Sequence, residues 1–190
     1  RKSTLFIRGR FRSVSTGPGG GIAAVTTLLN HTVPPGWDGT EPLRALSAAA
    51  SREGLPDDFF GLLTPVEMRH LCILQYDFVT VFITAGTRPG PGPGTTIIAC
   101  SSQGLSDAAL SEAVVTANEA KSEALSGLGQ LVSDTLPDAI VIASEGPVVH
   151  QSADATTEPG RRIRAAVLFG VPEALQRGEG VVVRNAPSYF

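Results

Sequence analysis

Two short runs, Asp77–Thr84 and Asp138–Ala143, constrain the fold of this chain most strongly. Neither shows the polar alternation of a strand with one wet face, so both read as strands covered on both sides. Between them lies the longest helical signal. It is opened by Ser106 as cap and carries an apolar arc of Leu110, Val114, Ala117, Leu125 and Leu128 at about 100° per residue. Further strand signals fall at Thr4–Arg8, Phe11–Ser15 and Thr95–Cys100, the first two pairing across Gly9-Arg10. Ile22–His31 carries both strand and helix signals. Helices are expected at 41–52, opened by Asp38 or Thr40 and stopped by Gly54, and at 64–75 behind the capping-box spacing Thr64-Pro65-Val66-Glu67. A last helix runs from about Glu158 to Phe169, with Pro172 forcing a kink or restart. The alternation is irregular, and the first third lacks a doubly wound pattern. The expected fold is α/β, with mixed α+β as the variant: a mixed sheet of one or two layers packed by three to four helices.

A chain of 190 residues with 42% hydrophobic and 17% charged content can bury one substantial core, so a single domain over 1–190 is expected. The Pro/Gly alternation at 87–94 is too short for a linker and reads as an irregular surface loop. A net charge of −3 argues against a general nucleic-acid binder, and Arg161, Arg162 and Arg164 are too local to change that. No run reaches the roughly 18 apolar residues of a membrane span, and a cytoplasmic location is the expectation. Cys72 and Cys100 sit in apolar runs as buried thiols, forming neither a disulfide framework nor a metal site. No pair of histidines has the helical spacing of a zinc site, and no bound metal or other cofactor is expected.

The chain writes positive charge almost wholly as arginine, thirteen against two lysines, and Lys121 is the one lysine away from the amino terminus. Helical projection puts it on the apolar arc, where an ammonium must pair, line a wet cavity or lose its proton; alternatively its stem snorkels along the core edge. Ser15 and Thr16 precede Gly17-Pro18-Gly19-Gly20-Gly21, a loop whose backbone N–H groups could approach an anion or developing oxyanion, or simply make a tight turn. It is neither a phosphate-binding Walker loop nor a dinucleotide fingerprint. His31, following Asn30, suits general acid–base work, although a lone histidine is more often a hydrogen-bonded structural residue. Glu158 complements a helix start, or else pairs with Lys121.

In order along the chain, Ser15 to Gly21, Leu29-Asn30-His31 with Val33-Pro34, Gly61-Leu62-Leu63-Thr64, Thr84-Ala85-Gly86, Thr116 to Lys121, Asp138-Ala139 and Thr157-Glu158-Pro159-Gly160-Arg161 together resemble the adenosylcobinamide amidohydrolase family. The resemblance implies hydrolysis of the amide joining the aminopropanol arm to the corrin ring, giving cobyric acid in cobamide salvage. It implies a small-molecule corrinoid as partner, which brings its own cobalt. Two segments depart from the family pattern: Thr87-Arg88 with the Pro/Gly repeats, and Asp134-Thr135-Leu136-Pro137. The expected scheme has His31 as base on water or on Ser15, the N–H groups of Gly19 to Gly21 around the oxyanion, and Lys121, paired with Glu158 or left partly neutral by burial, acting on the carbonyl or leaving amine. Ser15, His31, Lys121 and Glu158 are the expected catalytic residues. Gly17, Gly19, Gly20, Gly21, Asn30, Thr84, Glu119 and Arg161 are expected to bind substrate. The alternatives are a non-catalytic module binding a corrinoid or nucleotide-like ligand, and a homo-oligomer with Glu119 facing a second copy.

Overall fold

A long antiparallel hairpin builds the amino-terminal third. Its strands, β1 (Thr4–Ser15) and β2 (Gly21–Thr32), pair from Thr4 opposite His31 to Ser15 opposite Gly21. The computed structural model describes residues 3–86, 94–129 and 139–176, and the backbone of 181–184. Gly9-Arg10, expected as a turn between two strands, is an irregularity inside one strand. The ladder passes from Arg8 opposite Thr27 to Phe11 opposite Val25, so β1 carries one residue more than its partner. Both halves of β1 therefore share β2 as partner, and the extra residue adds bend.

The chain continues as α1 (Pro42–Arg52), β3 (Phe59–Thr64), a 3-10 turn (Met68–His70), β4 (Cys72–Tyr76), β5 (Val79–Ala85), β6 (Thr95–Ser101), β7 (Gly104–Leu105) and α2 (Asp107–Gly127). It ends with β8 (Ile140–Ser144), β9 (Val148–His150), α3 (Glu158–Gln176) and β10 (Val181–Arg184). Eight strands form one mixed sheet in the order β10-β4-β5-β6-β8-β1-β2-β3, while β7 and β9 make a small pair of their own. The parallel neighbours β2/β3 and β6/β8 are each joined by a crossover helix, α1 and α2. This is the mixed sheet with packed helices that the patterning predicts.

Alternation along the strands sorts side chains into two cores. Ile97, Ala99, Ile140, Ile142 and Val14 face α2 and α3, and Leu29 and Leu63 face α1. The other face packs on itself: Phe11, Leu28, Phe60 and Leu62 meet Ile98, Val141 and Ala143. The helices thus cover the convex side of a strongly curled sheet, and the concave side encloses a core of its own. Strand length measures the curl. From Gly21 to Asn30 an extended strand covers about 30 Å. Yet a Cβ on Gly17, just before Gly21, would sit 2.8 Å from the carbonyl oxygen of Gly61, which pairs with Leu29. The hairpin tip rolls round onto β3, and only a glycine fits at the meeting point.

Three expectations change. Thr64 ends a strand instead of capping a helix: its Oγ1 accepts from the N–H of Val66, two residues on, and β4 follows where helix was expected up to residue 75. Pro172 lies inside a helix continuous to Gln176. Residues 22–31 resolve as strand because β1 pairs along their length and β3 pairs with the half from Thr27 onward. Ser106 caps α2 as expected, accepting from the Ala109 N–H. The expected loop at 87–94 and the turn at 134–137 lie outside the described residues, apart from Gly94, whose carbonyl accepts from the Gly86 N–H at 2.9 Å.

Helix α3 docks through Gly160, where any Cβ would overlap the Asp154 backbone carbonyl. Substituting Gly160→Ala should lower the stability of the folded chain by about 1–3 kcal/mol through overpacking, read as a lower urea midpoint at unchanged slope.

Candidate functional site

At one end of the curled sheet, buried polar groups from strands distant in sequence meet. Thr84, near the end of β5, lies opposite Thr96, near the start of β6, and their Oγ1 atoms are 2.5 Å apart. Across the concave face, Asn30 Nδ2 donates to Thr96 Oγ1 at 2.7 Å. Asn30 is 1% exposed, and Thr84 and Thr96 are not exposed at all. The amide oxygen Asn30 Oδ1 is buried without a hydrogen-bond partner among the described residues, as is Ser13 Oγ on β1. A buried acceptor without a partner costs free energy and calls for an explanation.

The Ser15–Gly21 loop reaches the same end. The N–H and Oγ1 of Thr16 point to the Ile140 carbonyl, Thr16 Oγ1 also accepts from the Ile140 N–H, and the Ile97 N–H donates to the Ala139 carbonyl. These bonds set the loop beside the start of β8, one strand from Thr96. Gly17 touches Leu62, the ladder partner of Asn30. The structure therefore gathers Ser15, the glycine loop, Asn30 and Thr84, all expected site residues. The loop's own chemistry differs from expectation. The Gly17 N–H donates to Ser15 Oγ and the Gly20 N–H to the Gly17 carbonyl, so Gly20 closes the turn instead of facing an oxyanion. Gly19 and Gly21 have φ of 65° and 118°, backbone that a side chain would strain.

Lys121 is half-buried at the edge of the α2 contact face. It shares a helical stripe with Asp107 and Val114. Asp107 binds Arg12 of β1 at 2.7 Å, so this stripe faces β1. From that contact α2 runs alongside β1. Lys121 lies about 21 Å along the helix from Asp107, and Gly17 about 16 Å along β1 from Arg12. Lys121 therefore lies toward the end of α2 remote from the Arg12–Asp107 pair.

Other expected partners lie elsewhere. Glu158 is placed 3.7 Å from Arg162, whose guanidinium binds Asp77 at 2.7 Å and lies over the Phe78 ring. Asp77 precedes β5, whereas Thr84 is near its end, about 20 Å away. The edge of α2 facing α3 carries Glu112, Thr116 and Glu123, which bind Ser152, the Ala153 carbonyl and Arg164. Lys121 projects roughly opposite to that edge. The expected pairing of Glu158 with Lys121 is therefore corrected: the two sit on different sides of α2. Arg161 donates to the Thr156 carbonyl at the start of its own helix, and Glu119 is exposed on the outer side of α2. Neither joins the cluster.

His31 is corrected in direction. It follows Asn30 in β2, so its ring emerges on the opposite face, under α1, where Nδ1 lies 2.8 Å from Thr4 Oγ1. In that position it is no base for Ser15. Cys100, on the concave side, is no thiolate at neutral pH, since burial first and the Glu145 carboxylate second push its thiol up to about 12. Thr96 was missed by sequence reading. Its one signal is a polar residue opening the apolar run Ile97-Ile98-Ala99, which says nothing of what lies across the concave face. Among the described residues, no three His, Cys, Asp or Glu side chains are grouped to hold a metal ion, and no helix is long and apolar enough to cross a membrane.

Burial, helped by Arg52 and opposed by Glu53 and the Ser3 backbone, holds the His31 pKa below its ordinary value. The unfolded chain then binds the proton more tightly, so stability is full above the unfolded value of about 6.5 and falls as pH drops through it. Thermal melts between pH 5 and pH 8 should show that loss, and His31→Gln should flatten it.

The profile of the adenosylcobinamide amidohydrolase family matches residues 3–182. The adenosylcobinamide amidohydrolase of Methanosarcina mazei is 36% identical over 196 residues, covering 94% of this chain and 98% of the relative. That of Halobacterium salinarum is 31% identical over 185 residues, covering 86% of this chain and 80% of the relative. No solved structure matches the chain. With the family profile spanning nearly the whole sequence, and relatives this similar over nearly their full length, the chain belongs to the adenosylcobinamide amidohydrolase family and is an amide hydrolase acting on a C–N bond.

Proposed function

We propose that this enzyme hydrolyses the amide linking the aminopropanol arm of adenosylcobinamide to the corrin ring, releasing cobyric acid in cytoplasmic cobamide salvage. One observation carries the reading. The family segments around Ser15–Gly21, Asn30 and Thr84, scattered over the first half of the chain, converge at one end of the curled sheet beside an acceptor left open in the Asn30 carboxamide. The substrate's aminopropanol amide is itself polar and suits a small polar cluster set against an apolar core. Cobalt arrives with the corrinoid, and the protein contributes no metal of its own.

Within this reading Lys121, carried by the family segment Thr116 to Lys121, is the cationic group of the site. It polarises the scissile carbonyl or delivers a proton to the leaving amine, completing hydrolysis as water adds to carbon and the C–N bond breaks. Ser15 borders the carbonyl through its hydroxyl, which already accepts from the Gly17 N–H. His31, Glu158, Glu119 and Arg161 act on the fold. A second reading, corrinoid binding without turnover, draws support from the orientation of His31, which removes the histidine nearest the cluster as a base.

Incubation with adenosylcobinamide in dim light, followed by mass spectrometry, should show cobyric acid from the wild type. Lys121→Ala should lower kcat by about a hundredfold or more. Corrinoid retained without product would favour the binding module instead. Glu158→Gln should leave kcat and KM within about twofold, as expected for an exposed ion pair remote from the site. A large kcat loss in that variant would return Glu158 to the chemistry.

A further inference from the structure

A carboxamide has two ends, and a protein that fixes one and buries the other unpaired has oriented it. Asn30 Nδ2 donates to Thr96 Oγ1, which is in turn held against Thr84 Oγ1. The three groups come from β2, β6 and β5, and β2 is three strands away from β6 in the sheet order. Thr96 Oγ1 accepts from Asn30 Nδ2 and shares a hydroxyl hydrogen bond with Thr84 Oγ1, so it is held from both sides. Asn30 Oδ1 is left as an acceptor without a described partner, on a residue 1% exposed, in a concave face whose core is apolar and whose other polar groups include Ser13. Its neighbours include Leu62, which the glycine loop touches at Gly17.

We propose that Thr96 is a positioning residue of this enzyme, and that the carboxamide it fixes receives the substrate's amide N–H on Asn30 Oδ1. The inference rests on the amidohydrolase reading and deepens it by naming the substrate group recognised. An amide N–H is the fitting complement. It is a neutral donor, so burying it beside Oδ1 brings no unpaired charge into the apolar face. Holding that N–H also fixes the plane of the scissile amide, presenting its carbonyl carbon to the attacking group. Thr84 supports Thr96 and does not itself meet substrate.

The test is a three-variant series with adenosylcobinamide as substrate, each rate divided by the folded fraction from circular dichroism. Thr96→Val keeps the shape and removes the hydroxyl, freeing the carboxamide. Expected is a loss in kcat/KM of roughly tenfold or more per folded molecule. Thr96→Ser should recover most of it, and Asn30→Ala should match or exceed the valine loss. If Thr96→Val lowers only the melting temperature and the folded enzyme keeps wild-type kcat and KM, Thr96 is structural and the proposal is overturned. Should the wild type bind adenosylcobinamide without releasing cobyric acid, it is the hydrolase reading that fails. The same variants are then compared by equilibrium dialysis of the coloured corrinoid. A Kd weakened by valine and restored by serine supports the Asn30–Thr96 recognition, and an unchanged Kd overturns it.

Discussion

The hydrogen bond from Asn30 Nδ2 to Thr96 Oγ1 joins strands three places apart in the sheet and crosses its concave side. Most of the drive for closure comes from apolar burial, with Leu28, Phe60 and Leu62 brought against Ile98 and Val141 at about 25 cal/mol per Å² removed from water. Apolar contact is undirected, however, and tolerates sliding. A buried donor without its acceptor costs about 1–3 kcal/mol, so this polar bond selects one closed register. The glycine loop and the end of β5 are then fixed relative to each other.

Closure also divides the molecule into two ends with different work. One end collects Ser15, the glycine loop, Asn30, Thr84 and Thr96. The opposite end is a packing centre: Phe78 lies between the His150 ring and the Arg162 guanidinium, while Arg162 also meets Asp77 and Arg12 meets Asp107. The Thr157–Arg161 segment belongs to this second end. There Gly160 lets α3 close onto the Asp154 backbone and Arg161 tethers the preceding loop. A family segment can thus be held for docking a helix as well as for touching a substrate. The distinction follows from where the segment sits.

Much was legible because it is local. The cap at Ser106, the apolar arc of α2 and the doubly buried β5 and β8 follow from periodicity and from side chains bonding their own backbone. The failures have one cause. Thr64-Pro65-Val66-Glu67 has the spacing of a helix start, yet strand pairing to β2 and the bond to Val66 draw Thr64 into β3. Gly9-Arg10 reads as a turn, yet β2 offers one continuous partner. In both places a long-range ladder outcompetes a weak local preference.

The site shows the same boundary. Residue type marked Ser15, the glycines and Lys121, because hydroxyls, bare backbone and a single buried-face lysine are chemically conspicuous in an apolar chain, whereas Asn30 and Thr84 were marked by the family resemblance of their segments. Alternation along β2 sends Asn30 and His31 to opposite faces, but only the curl of the sheet decides which face becomes an enclosed interior and which lies under α1. Thr96 acquires meaning at that step alone, when β2 arrives across the concave side. The sequence by itself determined most of the elements, their burial and the stock of reactive groups, since these depend on neighbours along the chain. Tertiary structure decided which groups share a site, because that depends on closing a sheet whose distant strands no local pattern connects.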